Sequence, residues 1–509
     1  MRFLKLLFSK IVVVTLLFIA QMVLLAVVLQ YFSNYYYIFQ LLSYVVSIIM
    51  LLVVINKKQS PEFKLPWIIL FIFLPLFTMV IYHLFSQPKM PKRTSKKLNE
   101  YLSYLKPYVK LDYSVLDYLD EGFNKYVGIE RYLNKNAYSQ GYTGCKVSYF
   151  KSGEDWFVSL KEELNKAQKF IFLEYFIIGY GKMWDEMKDI LVKKVACGVE
   201  VRVIYDDIGS SGYVKNRFYK ELESLGISCV KFNPFKPILS GIHNYRDHRK
   251  ITVIDGKVAF TGGANITDDY INLTHRLGYW KDSVIKIEGS AVNNLTGMFL
   301  MSFDINKKQI SDFDKYFLPQ DTIVKDGTYV HPFGDGPRPS YKEQVGENTF
   351  INMINSAQKS VYITTPYLII DYNMSMALKN ASLRGVDVKI VTPSVPDKRI
   401  IFNMSRGNFP FLIDAGVDLY EYTPGFIHAK NVLIDEEYAF VGTINLDYRS
   451  FVHHYECGAV MYGHDAIKDI KTDFEDLFKV SKKITADNFK MGFFARLISA
   501  LLNIFSPML

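Results

Sequence analysis

The first 85 residues contain three apolar runs that lack Asp, Glu, Lys and Arg, at 11–32, 35–55 and 65–85. Each run is about long enough to cross a hydrocarbon core as a helix. The first is too long for a typical signal-peptide core, and no small-x-small cleavage site follows it. Three such runs in succession argue against buried core helices. The pattern predicts a multi-pass anchor in the cell membrane over residues 1–86.

Basic residues flank all three runs, and they complicate the topology. The positive-inside rule places every flank in the cytoplasm, which three full spans cannot satisfy. Either the third run is re-entrant behind a hairpin of the first two, or one flank breaks the rule. The strongest cluster comes immediately before the polar remainder, so we expect the catalytic part in the cytoplasm. The flanking residues are Lys5, Lys10, Lys57, Lys58, Lys64, Lys89, Lys92, Arg93, Lys96 and Lys97.

The periodicity changes after the anchor. Residues 87–138 are basic and tyrosine-rich and are predicted to be a juxtamembrane linker with some helix. From residue 141, apolar strands alternate with amphipathic helices, as in the strand 170–176, the helix 184–196 and the strand 199–205. Such alternation is typical of an α/β domain.

The alternation occurs twice. Ala167-Gln168-Lys169 leads into one strand as Ala357-Gln358-Lys359 leads into another, at 361–365, and a glycine precedes the next strand in each copy. The repeat predicts two α/β subdomains related by pseudo-twofold symmetry. Their predicted bounds are 139–320 and 321–484. A tail at 485–509 carries its apolar residues on one helical face, which would either dock on the core or lie in a membrane interface.

Composition agrees with an anchor joined to a globular part, because half of the 509 residues are hydrophobic and 22% are charged. The net charge of +9 favours anionic partners, either nucleic acid or an anionic lipid surface. The four cysteines show neither a CxxC motif nor zinc-ligand spacing, so we expect buried or idle thiols in a reducing compartment.

The candidate chemistry lies in two matching segments, HRKITVIDGKVAFTGGAN from residue 248 and HAKNVLIDEEYAFVGTIN from residue 428. Both fit the frame H-x-K-x4-D-x6-G-x2-N. A single short pattern of this kind would be weak evidence, but two copies at matching places in a repeat are strong evidence. On a strand, His and Lys two positions apart point to the same face. The candidates are His248, Lys250, Asp255 and Asn265, and His428, Lys430, Asp435 and Asn445.

These residue types suit a phosphodiester. Lysines and asparagines can bind its non-bridging oxygens and stabilise charge in the transition state. Two histidines can divide the work of nucleophile and general acid, because imidazole titrates near neutrality. No metal or cofactor is needed, and a lysine beside a metal would be repelled. Glu456 and Asp282 follow the two motifs at matching places, and we expect them to orient the histidines unless they are surface carboxylates.

The doubled frame resembles the HKD motifs of the phospholipase D superfamily over roughly residues 170–480. Within it, several stretches are similar to bacterial cardiolipin synthases, namely FLEYFIIG, NYRDHRK, AFTGGANITDDY, TTPYL, GTINLDYRSF and KLPWIILFIFLPLFTMVIYHLF. The resemblance implies transfer of a phosphatidyl group from one phosphatidylglycerol to another, with glycerol released. It further implies a phosphohistidine intermediate on His248. The implied partners are membrane phospholipids and not nucleic acid, and the oligomeric state stays open.

The sequence departs from that family at a few positions. The family tends to show Asn before the acid, where this chain has His453-His454-Tyr455 before Glu456. Gly263 stands where serine is common, whereas Thr443 keeps a hydroxyl. A hydrolase using water, a phosphodiester nuclease and a non-catalytic scaffold are the alternatives, although a scaffold would show decayed motifs. The acceptor, whether phosphatidylglycerol, phosphatidylethanolamine or water, stays open.

Overall fold

The structure is a computed structural model that describes residues 36–86, 92–105, 107–108, 113–235, 241–319 and 324–508, with isolated positions at Ile19, Val23, Val27 and Gln30. These residues form two compact units. The first contains the described residues up to 86 with 235, 241–244 and 500–508, and the second contains the described residues within 92–234 and 245–499. Most of the predicted run at 11–32 lies outside the described residues.

The first unit contains helix α1 (Tyr36–Ile55), which is apolar and mostly exposed. Among the described residues it is the one helix long and apolar enough to cross a membrane. The run at 65–85 is not a single helix. It divides into α2 (Pro61–Phe73) and α3 (Pro75–Phe85) at Leu74, which has φ −141° and ψ 59°. Pro75 causes the break because proline disfavours a helical conformation at the preceding residue.

Helices α2 and α3 fold back on each other. The Trp67 and Tyr82 ring centroids lie 5.0 Å apart, and the Thr78 hydroxyl donates to the Leu70 carbonyl at 2.9 Å. At 1.5 Å per residue these helices are about 20 and 17 Å long, shorter than a hydrocarbon core of about 30 Å. This is the geometry of the re-entrant alternative.

The second unit begins with α4 (Lys92–Leu105) and α5 (Tyr113–Asn136), which occupy the segment predicted to be a linker. Leu98 and Leu133 are buried in the core of this unit. The buried Glu130 carboxylate accepts hydrogen bonds from the hydroxyls of Tyr329 (2.6 Å) and Tyr438 (2.7 Å). The segment is therefore packed into the globular part as two helices.

The first subdomain contains a seven-stranded mixed sheet in the order β1-β9-β7-β6-β2-β3-β4. Strands β2, β3 and β4 are parallel and alternate with helices, as the periodicity predicts. Its elements are β1 (Lys146–Phe150), α6 (Gly153–Lys166), β2 (Phe170–Tyr175), α7 (Lys182–Ala196), β3 (Glu200–Asp206), α8 (Phe218–Ser224), β4 (Ser228–Phe232), β5 (Arg246–Asp247), β6 (Lys250–Ile254), β7 (Val258–Gly262), β8 (Tyr279–Lys281), β9 (Val284–Glu288) and α9 (Val292–Lys307).

The second subdomain repeats this arrangement in a sheet of the order β10-β19-β17-β16-β11-β13-β14-β20. Its elements are β10 (Tyr329–Asp335), α10 (Val345–Ser356), β11 (Ser360–Thr364), β12 (Leu368–Ile369), α11 (Tyr372–Leu383), β13 (Asp387–Pro393), α12 (Arg399–Gly407), α13 (Phe409–Asp414), β14 (Asp418–Tyr422), β15 (Gly425–Ile427), β16 (Asn431–Ile434), β17 (Tyr438–Gly442), β18 (Leu446–Asp447), α14 (Tyr448–Val452), β19 (His454–Tyr462), α15 (Ala466–Val480) and β20 (Ser481–Ile484). Helix α16 (Phe493–Phe505) follows.

The two subdomains share one hydrophobic core. Ile251, Ala259 and Ile285 from the first sheet belong to the same buried cluster as Leu433 and Val441 from the second. Short strands also pair across the boundary in parallel, β5 with β19 and β15 with β8. The prediction of two α/β subdomains is confirmed, and this interface brings the two motifs to one site.

Candidate active site

Cross-subdomain strand pairing positions both histidines. His248 follows β5, and its backbone N–H donates to the Tyr455 carbonyl on β19 at 2.9 Å. His428 follows β15, and its N–H donates to the Lys281 carbonyl on β8 at 2.7 Å. Each motif histidine is thus attached by its backbone to the other subdomain. The two halves of the site therefore share the same backbone hydrogen-bonding arrangement.

Each imidazole is also oriented by a carboxylate from the other subdomain. His248 Nδ1 lies 2.9 and 3.0 Å from the two oxygens of Glu456. His428 Nδ1 lies 2.7 Å from Asp282 Oδ2. A carboxylate at Nδ1 stabilises the tautomer that leaves Nε2 unprotonated and able to react. The structure therefore brings together the four residues predicted to form two histidine–acid pairs.

The carboxylates themselves are held differently in the two halves. The Thr443 hydroxyl donates to Glu456 Oε2. Asp282 instead accepts from the Ser283 backbone N–H at 2.9 Å. A Cβ atom on Gly263 would lie 1.9 Å from Asp282 Oδ1. Gly263 therefore lacks a side chain because Asp282 occupies that space, which explains its departure from the family pattern.

The motif lysines lie beside the histidines, as the strand spacing predicts. Lys250 Nζ donates to the His248 carbonyl at 2.5 Å, and Lys430 Nζ lies 2.8 Å from His428 Nδ1. Burial lowers the pKa of Lys250 to about 8 and that of Lys430 to about 7. Both ammonium groups can lose their protons near neutral pH.

Burial also acts on the histidines. It lowers the pKa of His248 well below its ordinary value, and the charges of Lys250 and Lys430 add to the effect. Burial and Lys430 lower the pKa of His428 to about 4, against the opposing effect of Asp282. Both imidazoles are therefore neutral at pH 7, which is the form that can attack phosphorus.

The two motif asparagines are partly engaged by the protein. Asn265 accepts from the Ile177 N–H at 3.0 Å and donates to the Tyr270 hydroxyl at 2.7 Å. Asn445 donates to Ser450 Oγ at 3.1 Å, while its Oδ1 has no hydrogen-bond partner in the described part of the chain. These bonds hold loops at the site, so direct phosphate binding by the asparagines stays a prediction.

The motif aspartates lie at the far ends of their strands. Asp255 accepts hydrogen bonds from the backbone N–H groups of Gln168, Lys169 and Phe170 at 2.7–2.9 Å. Strand β6 separates Asp255 from His248, and five residues of strand span about 17 Å. The structure does not bring this carboxylate to the histidines. Its contacts favour a structural role.

Asp435 has the same place in the second half. It accepts from the N–H groups of residues 358–360 and pairs with Lys125 on α5. Both aspartates adopt positive φ angles, 55° for Asp255 and 51° for Asp435, at the turns between their strands. The frame therefore contains a residue that stabilises the turn as well as residues that face the substrate.

The sequence marks His454 as a departure from the family pattern, but it does not predict that His454 or Trp280 lies beside a motif histidine. The His454 ring centroid lies 5.3 Å from that of His248, and the Trp280 ring centroid lies 5.4 Å from that of His428. Each lies two residues before the orienting acid. That spacing is a signal that a comparison of the two acid-containing stretches could have found.

Comparisons with known proteins agree with this geometry. A family model described as "Cardiolipin synthase, PLD-like domain" matches residues 160–288 and 350–478. This chain belongs to that family. A second model, "Phospholipase_D-nuclease N-terminal", matches residues 45–87, the segment that includes the α2–α3 pair.

Relatives in this cardiolipin synthase family are similar over nearly the whole chain. "Cardiolipin synthase" of Alkalihalophilus pseudofirmus is 34% identical, with 89% of this chain and 90% of that protein aligned. "Cardiolipin synthase 2" of Bacillus anthracis is 33% identical, over 89% of this chain and 88% of that protein. The crystal structure of phosphatidylserine synthase from Haemophilus influenzae matches with a TM-score of 0.58 at 16% identity. It covers 76% of this chain and all of that one, and it shows the shared fold. The chain is thus a membrane phosphatidyltransferase that acts on phospholipids.

Proposed function

We propose that the enzyme condenses two phosphatidylglycerol molecules into cardiolipin and glycerol through a phosphatidyl-histidine. The observation that carries this proposal is the pair of imidazoles, each oriented by a carboxylate from the opposite subdomain. Such a site offers one nucleophile and one proton carrier on either side of a single phosphorus. The family resemblance supplies the substrate class.

In the first step, His248 Nε2 forms a bond to phosphorus as the bond from phosphorus to the headgroup glycerol breaks. His428 donates the proton that the departing glycerol takes. An anionic phosphodiester in the site raises the pKa of His428 and so favours the protonated form that this step needs. Lys250 and Lys430 offer positive charge to the non-bridging oxygens.

In the second step, His428 removes the proton from a hydroxyl of a second phosphatidylglycerol. That oxygen bonds to phosphorus as the phosphorus–nitrogen bond to His248 breaks. Cardiolipin leaves and both imidazoles return to their starting states. Water in place of the lipid alcohol would give phosphatidic acid, so the product distinguishes a synthase from a hydrolase.

The test uses purified full-length protein in phosphatidylglycerol vesicles, with products followed by mass spectrometry. We expect cardiolipin and glycerol in equal amounts, with little phosphatidic acid. Phosphatidic acid as the main product would favour the hydrolase alternative. Cleavage of added DNA with no lipid turnover would contradict the proposal altogether. His428→Ala protein serves as the inactive control.

We further propose that the anchor consists of full spans followed by a re-entrant α2–α3 pair, with the catalytic unit in the cytoplasm. Because α2 and α3 fold back, the lysines on both flanks of the run at 65–85 would lie on the same membrane side, as the positive-inside rule requires. This arrangement resolves the conflict among the basic flanks.

The exposed thiol of Cys197 offers a label for this topology. We expect a membrane-impermeant maleimide to label Cys197 only after cells are permeabilised, and a Lys58→Cys substitution to behave in the same way. A Cys197→Ser variant controls for reaction at the three buried thiols. Labelling of Cys197 in intact cells would place the catalytic unit outside.

The C-terminal helix α16 is proposed to lie in the membrane interface. Phe493 and Phe494 are 74% and 76% exposed, and Leu497 and Ile498 are also exposed on the same apolar face. The hydroxyl of Ser499, on the opposite side, donates to the Asn403 carbonyl at 3.0 Å. Tryptophan at position 494 in Phe494→Trp is expected to be quenched by brominated lipid. No quenching would favour a helix that docks on protein.

A further inference from the structure

The His248 half of the site contains three metal-ligating side chains, and one of them, His454, has no part in the proposed reaction. One ligand atom from each of His248, His454 and Glu456 lies within 4.8 Å of the others. All three side chains are buried, with Glu456 fully inaccessible. Two imidazoles and one carboxylate are a known ligand set of zinc sites that keep a position open.

The distances between the ligand atoms of these side chains are close to those between neighbouring ligands of a bound zinc ion. His454 Nδ1 lies 3.5 Å from Glu456 Oε1, and His248 Nδ1 lies 3.0 Å from the same oxygen. In a tetrahedral zinc site with bonds of about 2.0–2.1 Å, neighbouring ligand atoms are roughly 3.3–3.4 Å apart. Small side-chain movements would therefore close these three groups around an ion.

His454 is buried without a hydrogen-bond partner among the residues that the structure describes. It is 6% exposed, and neither of its ring nitrogens makes a hydrogen bond within the described part of the chain. The separation of 3.5 Å from Glu456 is too long for a strong hydrogen bond. A buried polar group without a partner is costly, and a metal ion would satisfy one of its nitrogens.

The other half of the site lacks this capacity. The equivalent glycines of the two motifs, Gly262 and Gly442, pair with Val284 and Gly458 in their sheets. Trp280 lies four residues before Val284, and His454 lies four residues before Gly458. Trp280 and His454 therefore occupy equivalent positions in the two halves. The indole of Trp280 has a donor nitrogen and no lone pair for a metal. The asymmetry assigns the ligand set to the His248 half alone.

We propose that His248, His454 and Glu456 form an inhibitory site for Zn²⁺, which blocks the reaction by binding His248 Nδ1 and Glu456 and so breaking the hydrogen bond that orients the nucleophile. The ion is not required for catalysis. Neighbouring Lys250 and Lys430 oppose a cation, so binding should be reversible and a chelator should remove the ion. The inference rests on the proposed function for its kinetic readout but not for its binding readout.

The binding test titrates purified full-length protein with Zn²⁺ in competition with a chromophoric chelator. His454→Asn replaces the ligand with the residue that the family tends to show before the acid. We expect this change to weaken one zinc site by more than about 100-fold, because even changes outside the ligand shell cost about 10–100-fold. His453→Asn is the matched control and is expected to bind zinc as the wild type does. Equal zinc binding by His454→Asn and wild type would overturn the proposal.

The kinetic test measures cardiolipin formation with and without Zn²⁺, each variant being compared with its own zinc-free rate. Wild type and His453→Asn should be inhibited and recover fully in EDTA, whereas His454→Asn should resist zinc. Zinc inhibition that is unchanged in His454→Asn would place the inhibitory ion elsewhere and contradict the assignment. If no lipid turnover is seen in any protein, the proposed function fails, and the binding test alone decides the zinc site.

Discussion

Around His428, the orienting acid is Asp282 and the adjacent ring is the indole of Trp280. Around His248, the acid is the longer Glu456, and the imidazole of His454 lies at the place that corresponds to Trp280. The backbone plan is the same in both halves, since each histidine is bound to the opposite subdomain. The two copies of the motif thus have different surroundings. This difference allows the two histidines to take different roles in the reaction at one phosphorus atom.

The largest effect is expected from the histidines themselves. His248→Ala and His428→Ala should each lower the rate of cardiolipin formation by about 10⁴-fold or more, because each removes an indispensable group. The double variant should be no worse than either single one, since the two act as a unit. His453→Ala, at an adjacent histidine, is the control. Losses that multiply in the double variant would mean that the halves act independently.

The orienting acids come next. Glu456→Gln and Asp282→Asn are expected to lower kcat by about 10²–10⁴-fold while circular dichroism shows intact folding, because the wrong imidazole tautomer is then favoured. Thr443→Val should have a smaller effect, since it removes one hydrogen bond to Glu456. Asp465→Asn changes an exposed carboxylate and is the control. Near-normal turnover in Glu456→Gln would mean that this carboxylate does not act through His248.

A different kind of effect is expected from the motif aspartates. Asp255→Ala leaves three backbone N–H groups without their acceptor, which costs roughly 1–3 kcal/mol of unfolding free energy for each poorly solvated donor. We expect a Tm lower by several degrees and a kcat within about tenfold of the wild type in the folded fraction. Loss of turnover at an unchanged Tm would instead indicate that Asp255 has a catalytic role.

A gradual effect is expected from pH. As pH rises, Lys430 (pKa about 7) loses its positive charge before Lys250 (pKa about 8), and the phosphodiester loses that attraction. We expect kcat/KM to fall between pH 7 and 9 by at most about tenfold per pH unit. Lys430→Arg keeps its charge and should move the decline to higher pH. A profile that stays flat in the wild type would show that neither lysine titrates in this range.

Much of the fold could be predicted because the signals are local. The two histidine–lysine pairs, strand β6 and the helices that follow the parallel strands depend on periodicities of two and 3.6 residues. The packing of α4 and α5 could not be predicted, because their apolar residues are spaced among many polar ones and only the tertiary contacts of Glu130 and Leu133 show that they are buried. The break at Leu74 follows from Pro75, whereas hydropathy alone predicts one continuous run around it.

The residues of the site could be predicted from the sequence, but the contacts between them could not. Their matching positions after the two motifs identify Glu456 and Asp282 as candidates, yet the sequence contains no sign that each reaches the histidine of the other subdomain. Asp255 and Asp435 resembled catalytic groups because they belong to the repeated frame. Their position at the far strand ends, with φ near 50°, shows that repetition marks structural needs as well as chemistry.

The most direct test of this division of labour uses a phosphatidyl donor with p-nitrophenol as its headgroup, a leaving group that needs no proton. With His428→Ala, we predict a burst of one equivalent of p-nitrophenolate and an accumulated phosphatidyl adduct, which base quenching and peptide mass spectrometry should locate on His248. His248→Ala should give neither burst nor adduct. A burst from His248→Ala with the adduct on His428, or no burst from either variant, would contradict the account.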